Sequence, residues 1–320
     1  MAISAYLKDI ARGSAGARHL SRAQAADLLG QVLDGACTDL EIGAFCIAMR
    51  VKGETPDELA GFLDALHVRL HLLPRSDRPV VVLPSYNGAR KLPVLTPLLG
   101  LMLARKGLPV LIHGSPTEDG RTTSQQVLAQ LGLPVHCADE PIANSPIANG
   151  QLHFVPTEAL HPGLQRLLAV RCTLGVRNTA HSLVKLMNPV DGPALVIGSY
   201  THPEYLESMT ATFQRTGARA LLLRGTEGEP VADPRRTPRM DLFLHGQVEL
   251  VQPAQSGPLT TLPHLPGQIG AEATARYIQA VLAGELPVPD SLLLQAEHIL
   301  RACKLIEAEG DTSSLMALAQ

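Results

Sequence analysis

The turn Asn87-Gly88-Ala89-Arg90-Lys91 places two adjacent cations just beyond a glycine and an alanine. Such a turn suits the phosphates of a polymer, which need charge more than a tight cavity. A second basic set is Arg177, His181 and Lys185, spaced by four, so that a continuous helix would carry all three on one stripe. Arg171 precedes them, and the planar, permanently charged guanidinium fork serves a carboxylate and a phosphodiester equally well. Tyr86 is the aromatic in the first turn that could stack a base. Each reading has a plainer one beside it: a solvated basic turn, an exposed helix face, or an ion pair between lobes. His19 with Arg18 and Arg22, and Arg235, Arg236 and Arg239, are further candidates that read first as surface charge.

The whole chain gives less direction. Its 320 residues, 45% of them apolar, can bury a sizeable core in one large domain or two unequal lobes. A formal net charge of -3 supplies no global attraction to nucleic acid or an anionic membrane, so such binding needs local clusters of Lys and Arg. No apolar run approaches a membrane span, and the amphipathic start MAISAYLKDIARG lacks a signal-peptide core, so no membrane partner and a cytoplasmic location are expected. Five cysteines, Cys37, Cys46, Cys137, Cys172 and Cys303, include no CxxC pair and are expected as buried reduced thiols.

The elements that must position these residues follow from periodicity. Residues 1–75 read as a small helical lobe, with Ser21 capping one helix and Gly35 closing it, Thr38 and Glu41 forming a capping box, and Thr55-Pro56 opening another helix. Residues 78–320 read as a larger α/β lobe. PVVVLPSY, a helix near Leu95 to Lys106, LPVLIHG, a helix from Thr123 to Leu131 and LPVHCA alternate as strand and helix. ALVIGSY, a helix from Glu204 to Thr216 and ARALLLRG repeat the unit, which implies a central, mostly parallel sheet. Residues 161–188 read as two inserted helices ended by Pro189, completing the helical lobe.

HGSPTEDGRTTSQQVLAQLG (113–132) and HPGLQRLLAVRCTLGVRNTAHSLVKLMNP (161–189) resemble two characteristic stretches of the anthranilate phosphoribosyltransferases, and the order of lobes matches. The segments 84–91, 95–99, 175–181 and 224–229 resemble a bacterial DNA-binding branch of that family. The resemblance implies a nucleoside phosphorylase/phosphoribosyltransferase-like fold and dimerisation through the helical lobe.

Motif by motif, the resemblance also shows departures. The family's GTGGDG loop, which brings backbone N–H groups to a pyrophosphate, aligns here with Pro84, Ser85, Tyr86, Asn87, Gly88 and Ala89. Proline removes a donor and tyrosine adds bulk, so the diphosphate cradle as the family builds it is gone. KHGNR has become Ile112 to Pro116, which keeps His113 and Gly114 but loses the Lys and Arg, and the Ser-rich turn aligns with Asp119 and Gly120, followed by Arg121. Thr96 reads as an ordinary N-cap before Pro97, and Thr123 or Ser124 as caps. The magnesium-holding Asp-Glu pair aligns with Pro230 and Val231, neither of which can ligate; Glu227 and Glu229 nearby could shift into that role, but are expected first as solvated turn carboxylates. Arg171 and Arg177 are retained, and Arg177 aligns with the arginine that meets the aromatic carboxylate in the enzymes.

These readings converge on nucleic acid, DNA or RNA, bound through phosphate contacts with little sequence specificity, by Tyr86, Asn87, Arg90, Lys91, His113, Arg121, Arg171, Arg177, His181 and Lys185. No cofactor, metal or catalytic residue is assigned. The alternative is a glycosyl or phosphoribosyl transferase with an altered acceptor.

Overall fold

Side-chain to backbone exchange at their first turns starts three of the four N-terminal helices. The computed structural model describes residues 3–13, 16–115, 120–136, 145–259 and 262–318, with side chains up to residue 309. In it α1 (Ser4–Ile10), α2 (Arg22–Leu33), α3 (Asp39–Lys52) and α4 (Pro56–His67) form the helical lobe. Ser21 with Gln24, Thr38 with Glu41 and Thr55 with Glu58 each form a full capping box, satisfying two otherwise orphaned N–H groups per helix. Glu58 does more: it accepts from Leu20 N and from Lys52 Nζ at 2.6 Å, a buried ion pair that locks the α1–α2 connection to α4.

The α/β lobe contains β1 (Val80–Ser85), α5 (Thr96–Arg105), β2 (Val110–Gly114), α6 (Ser124–Gln130), β3 (Leu152–Pro156) and the short α7 (Thr157–Leu160). Two inserted helices follow, α8 (Pro162–Leu174) and α9 (Ala180–Leu183). The chain then returns through β4 (Ala194–Tyr200), α10 (Pro203–Thr216), β5 (Ala220–Arg224), a 3-10 turn Thr226–Gly228, β6 (Met240–Leu244), β7 (Gln247–Gln252), α11 (Ala271–Ala283) and α12 (Asp290–Leu318). The seven-stranded sheet runs β3-β2-β1-β4-β5-β6-β7, with β1 to β5 parallel and β6 and β7 antiparallel. Strands β1 and β2 are buried along their whole length, as expected of a sheet covered on both faces.

Three expectations are corrected. The strand expected at LPVHCA is not formed at Leu133 to His136, where His136 N donates to Phe154 O, and Cys137 and Ala138 lie outside the described residues. The third strand is Leu152–Pro156 instead, paired in parallel with β2. Thr96 is not a cap: Leu95 holds that position and Thr96 opens α5 with its hydroxyl turned elsewhere. Cys37, Cys46 and Cys303 are buried, but Cys172 is exposed on the outer face of α8.

The helical and α/β parts are tied across their junction. Arg215 of α10 pairs with Asp57 of α4 at 2.9 Å, and the inserted segment is fixed to α3 and its exit by Thr179 Oγ1 donating to Glu54 at 2.6 Å and by Arg166 with Asp39 at 2.6 Å. One apolar cluster runs without a break from Phe45 and Phe62 through Leu183 and Val184 to Val82 and Phe213.

Candidate functional site

Strand β1 lies between β2 and β4, so the chain leaves the carboxyl ends of β1 and β4 toward opposite sides, the place where an open α/β sheet forms a crevice. The loop Tyr86 to Leu92 after β1, the segment Thr201-His202 after β4 and the turn Thr226 to Glu229 after β5 meet there.

The turn is the centre of the arrangement. Glu229, only 1% exposed, accepts the backbone N–H groups of Asn87 at 2.9 Å and Gly88 at 2.8 Å through one carboxylate oxygen. Its other oxygen accepts the hydroxyls of Thr96, at 3.0 Å, and Ser85. Ser85 Oγ in turn lies 2.7 Å from Ser124 Oγ. Glu227 does the same one step along the loop: its carboxylate accepts the N–H groups of Lys91 at 2.8 Å, Leu92 at 3.0 Å and Arg90 at 3.2 Å, with Arg121 Nη1 3.7 Å away. Consecutive N–H groups turned toward one point make an anion-binding concavity, and here two carboxylates of the same chain sit in it. The expectation of solvated turn carboxylates is therefore overturned.

Small residues make this approach possible. A Cβ on Gly228 would lie 1.8 Å from Asn87 Nδ2, and one on Gly225 would lie 2.0 Å from Glu229 O. Glu227 itself holds the left-handed backbone conformation, φ 52°, a disfavoured choice for a non-glycine residue that the seated carboxylate and the bond from Asn87 Nδ2 to Glu227 O sustain. Lys185 Nζ and Ser199 Oγ both donate to Gly228 O, at 2.9 and 2.8 Å, and clamp the turn from behind.

Behind the clamp opens a cavity of about 760 Å³ between the lobes, lined by Arg50 and Glu54 from α3 and its exit, Arg177, His181 and Lys185 from the inserted segment, and Tyr200, His202 and Tyr205 from the α/β part. Burial, with Arg177 next in effect, pulls Lys185 down to about 8, Glu229 acting the other way. Burial chiefly, then Arg177 and Arg171, depress His181 to about 3, so it is neutral near pH 7.

The residues singled out from the sequence thus divide. Arg90 and Lys91 present exposed side chains, while Arg121 is partly buried and donates to Gly88 O at 3.2 Å. Arg177, His181 and Lys185 do meet around one cavity, but not as a helical stripe of cations, because α9 spans only Ala180–Leu183 and His181 is uncharged. Arg171 lies in the last turn of α8, partly buried. Tyr86, Asn87 and His113 are corrected outright as surface contacts: they are 8%, 4% and 0% exposed. Tyr86 Oη lies between Thr157 Oγ1, at 2.8 Å, and His113 Nδ1, at 2.9 Å, and burial lowers His113 to about 3. Of the further cations, Arg22 pairs with Asp64, Arg235 with Asp233 and Arg239 with Asp241.

The described residues do not fit a magnesium site of the expected kind. Pro230 and Val231 are buried and ligate nothing, and Glu227 and Glu229 face N–H and O–H donors, surroundings that favour an anion over a cation. Among the described residues no group of three or more His, Cys, Asp or Glu could hold a metal ion.

Residues 4–68 match the helical bundle domain of a glycosyl transferase family. An anthranilate phosphoribosyltransferase of Leifsonia xyli is 32% identical over 87% of this chain and 80% of its own length. The chain belongs to the anthranilate phosphoribosyltransferase family. The uncharacterized protein YbiB of Escherichia coli K12 is 37% identical over 97% of this chain and 95% of its own. The fold of this family member is shared by the anthranilate phosphoribosyltransferase of Thermus thermophilus, with a TM-score of 0.71 at 24% identity over 95% of this chain and 91% of that one. It is shared too by the yeast enzyme solved in complex with PRPP and Mg, with a TM-score of 0.70 at 16% identity over 94% and 88%.

The two glutamates were missed as functional residues. Their signal was Gly225-Thr-Glu-Gly-Glu229, where glycines alternate with carboxylates and so announce a turn packed closely on something.

Proposed function

We propose that this family member binds nucleic acid through phosphate contacts, with little base readout, and does not carry out the anthranilate reaction. The observation that carries the reading is the loop after β1. Its N–H groups are engaged by Glu229 and Glu227, while the side chains of Arg90 and Lys91 on the same loop are exposed. A site that spends its backbone donors internally and turns its charges outward suits a polymer better than a compact diphosphate. Arg177 lines the interlobe cavity, and Arg121 and Arg171 are further partly exposed cations.

The proposed assembly is a homodimer through the helical lobe. Leu40, 85% exposed, Ile47, 42%, and Val51, 64%, share one face of α3, and Ile47 and Val51 border an apolar groove with Ile10 and Ala17. A cytoplasmic location is kept as part of the proposal. Among the described residues no helix is long and apolar enough to cross a membrane.

Fluorescence anisotropy of a labelled oligonucleotide across a salt series tests the reading. Binding that weakens linearly in log-log form as salt rises is expected; no binding at low salt would overturn it. The second reading, a transferase with an altered acceptor, draws on the interlobe cavity of about 760 Å³, large enough for a nucleoside-sized molecule. Saturable binding of a small glycosyl donor there would favour it.

A further inference from the structure

We propose that Glu229 and Glu227 are tethered stand-ins for the two phosphate groups of a diphosphate, so that the chain carries a latent diphosphate site held shut by its own carboxylates. Glu229 takes two backbone N–H groups and two hydroxyls, from Asn87, Gly88, Thr96 and Ser85, and Glu227 takes three consecutive N–H groups, from Arg90, Lys91 and Leu92. These donors are backbone amides and hydroxyls, and the Arg121 guanidinium adds an ion pair to Glu227 at 3.7 Å. Groups of N–H and O–H donors converging on an oxygen pair are the surroundings built for oxyanions.

The two carboxylates belong to one turn, two residues apart in sequence, and seat on neighbouring stretches of the same loop. Their placement has also been secured at a conformational cost. Glu227 adopts φ 52°, and Gly228 is required because any Cβ would overlap Asn87 Nδ2. Glu227 keeps 15% of its side chain exposed, so the outer half of the site opens to solvent between Arg121 and the Arg90-Lys91 turn, and a small anion has an entry path. The native consequence is exclusion: compact diphosphates meet a filled cradle, while the cations above it stay available to a longer polyanion.

The test is thermal unfolding and calorimetry of the full chain with inorganic pyrophosphate as the probe. The wild-type protein is expected to show no saturable pyrophosphate binding and no stabilisation. The double variant Glu227→Ala, Glu229→Ala is expected to bind one pyrophosphate at least tenfold more tightly than wild type and to be stabilised by it, whereas Glu227→Gln, Glu229→Gln, which leaves the side chains in place, is not. Should the double variant fold poorly, Glu227→Ala alone, which removes the outer carboxylate, is expected to be stabilised by inorganic phosphate. Folded Ala variants indifferent to both anions, or wild type binding pyrophosphate as tightly as the variants, would overturn the proposal. Neither result depends on whether the chain binds nucleic acid.

Discussion

Glu229 accepts the N–H of Gly88 at 2.8 Å although 141 residues of chain separate them, and through it the turn after β5 is held on the loop after β1. That bond belongs to a set of four in which a buried carboxylate satisfies two amides and two hydroxyls of β1, its loop and α5. The same turn is pinned from behind by Lys185 and Ser199, so the two loops form one rigid block beneath the exposed Arg90 and Lys91.

Removing that carboxylate leaves buried donors without partners. Each orphaned donor costs about 1–3 kcal/mol, so Glu229→Ala is expected to lose about 3 kcal/mol or more of stability. Urea denaturation checks this, and a variant within experimental error of wild type would contradict the role given to Glu229.

Lys185 gives the fold a pH dependence of definite sign. Its folded pKa of about 8 lies below the ordinary 10.5, so between these values the unfolded chain binds more protons than the native one. The contribution of this group to stability therefore rises with pH from about 8 toward 10.5, and below 8 its penalty is fully present. Subtracting the unfolding free energies of Lys185→Met from those of wild type at pH 7 to 10 isolates the effect. A difference that does not grow in favour of wild type across this window would contradict the burial of the ammonium.

Arg90 and Lys91 are expected to act through charge alone. Arg90→Ala with Lys91→Ala should weaken oligonucleotide binding to the same extent for different sequences, and lower the salt slope by about 0.7–0.9 for each phosphate no longer neutralised. The melting temperature should hardly move, since both side chains are exposed. A full salt slope in the double variant would place the phosphate-binding cations elsewhere.

Tyr86 separates a packing role from a binding one. Tyr86→Phe removes the hydroxyl set between Thr157 and His113 and should cost about 1–2 kcal/mol of stability. Oligonucleotide affinity should be unchanged, because the ring is 8% exposed and offers no face to a base. A loss of affinity without a loss of stability would instead give the hydroxyl a contact with the oligonucleotide.

Much of the fold was legible because its signals are local. Ser21, Thr38 and Thr55 cap helices through partners three residues away, and the β-branched runs at 80–85 and 194–200 are buried on both faces. The hairpin of β6 and β7 went unread although His245 and Gly246, both with positive φ, form its tight turn. The site was legible only in outline. Residues 84 to 89 could be read as an altered loop, but not what seats on it, since the donors that hold Glu227 and Glu229 lie between 133 and 144 residues away. Nor does sequence distinguish a buried Tyr86-His113 pair from a surface one, or a lysine clamping a carbonyl from one facing solvent. Only packing decides those.

The most direct test of the whole account is a competition. A labelled oligonucleotide is bound to the wild-type protein and titrated with phosphoribosyl pyrophosphate and magnesium, beside a sodium chloride control of equal ionic strength. The account predicts that the two titrations release the oligonucleotide alike, because the cradle is already filled by Glu227 and Glu229 and only screening acts on Arg90 and Lys91. Release at micromolar phosphoribosyl pyrophosphate, well before the salt control responds, would show that the small ligand takes the site and would contradict the account.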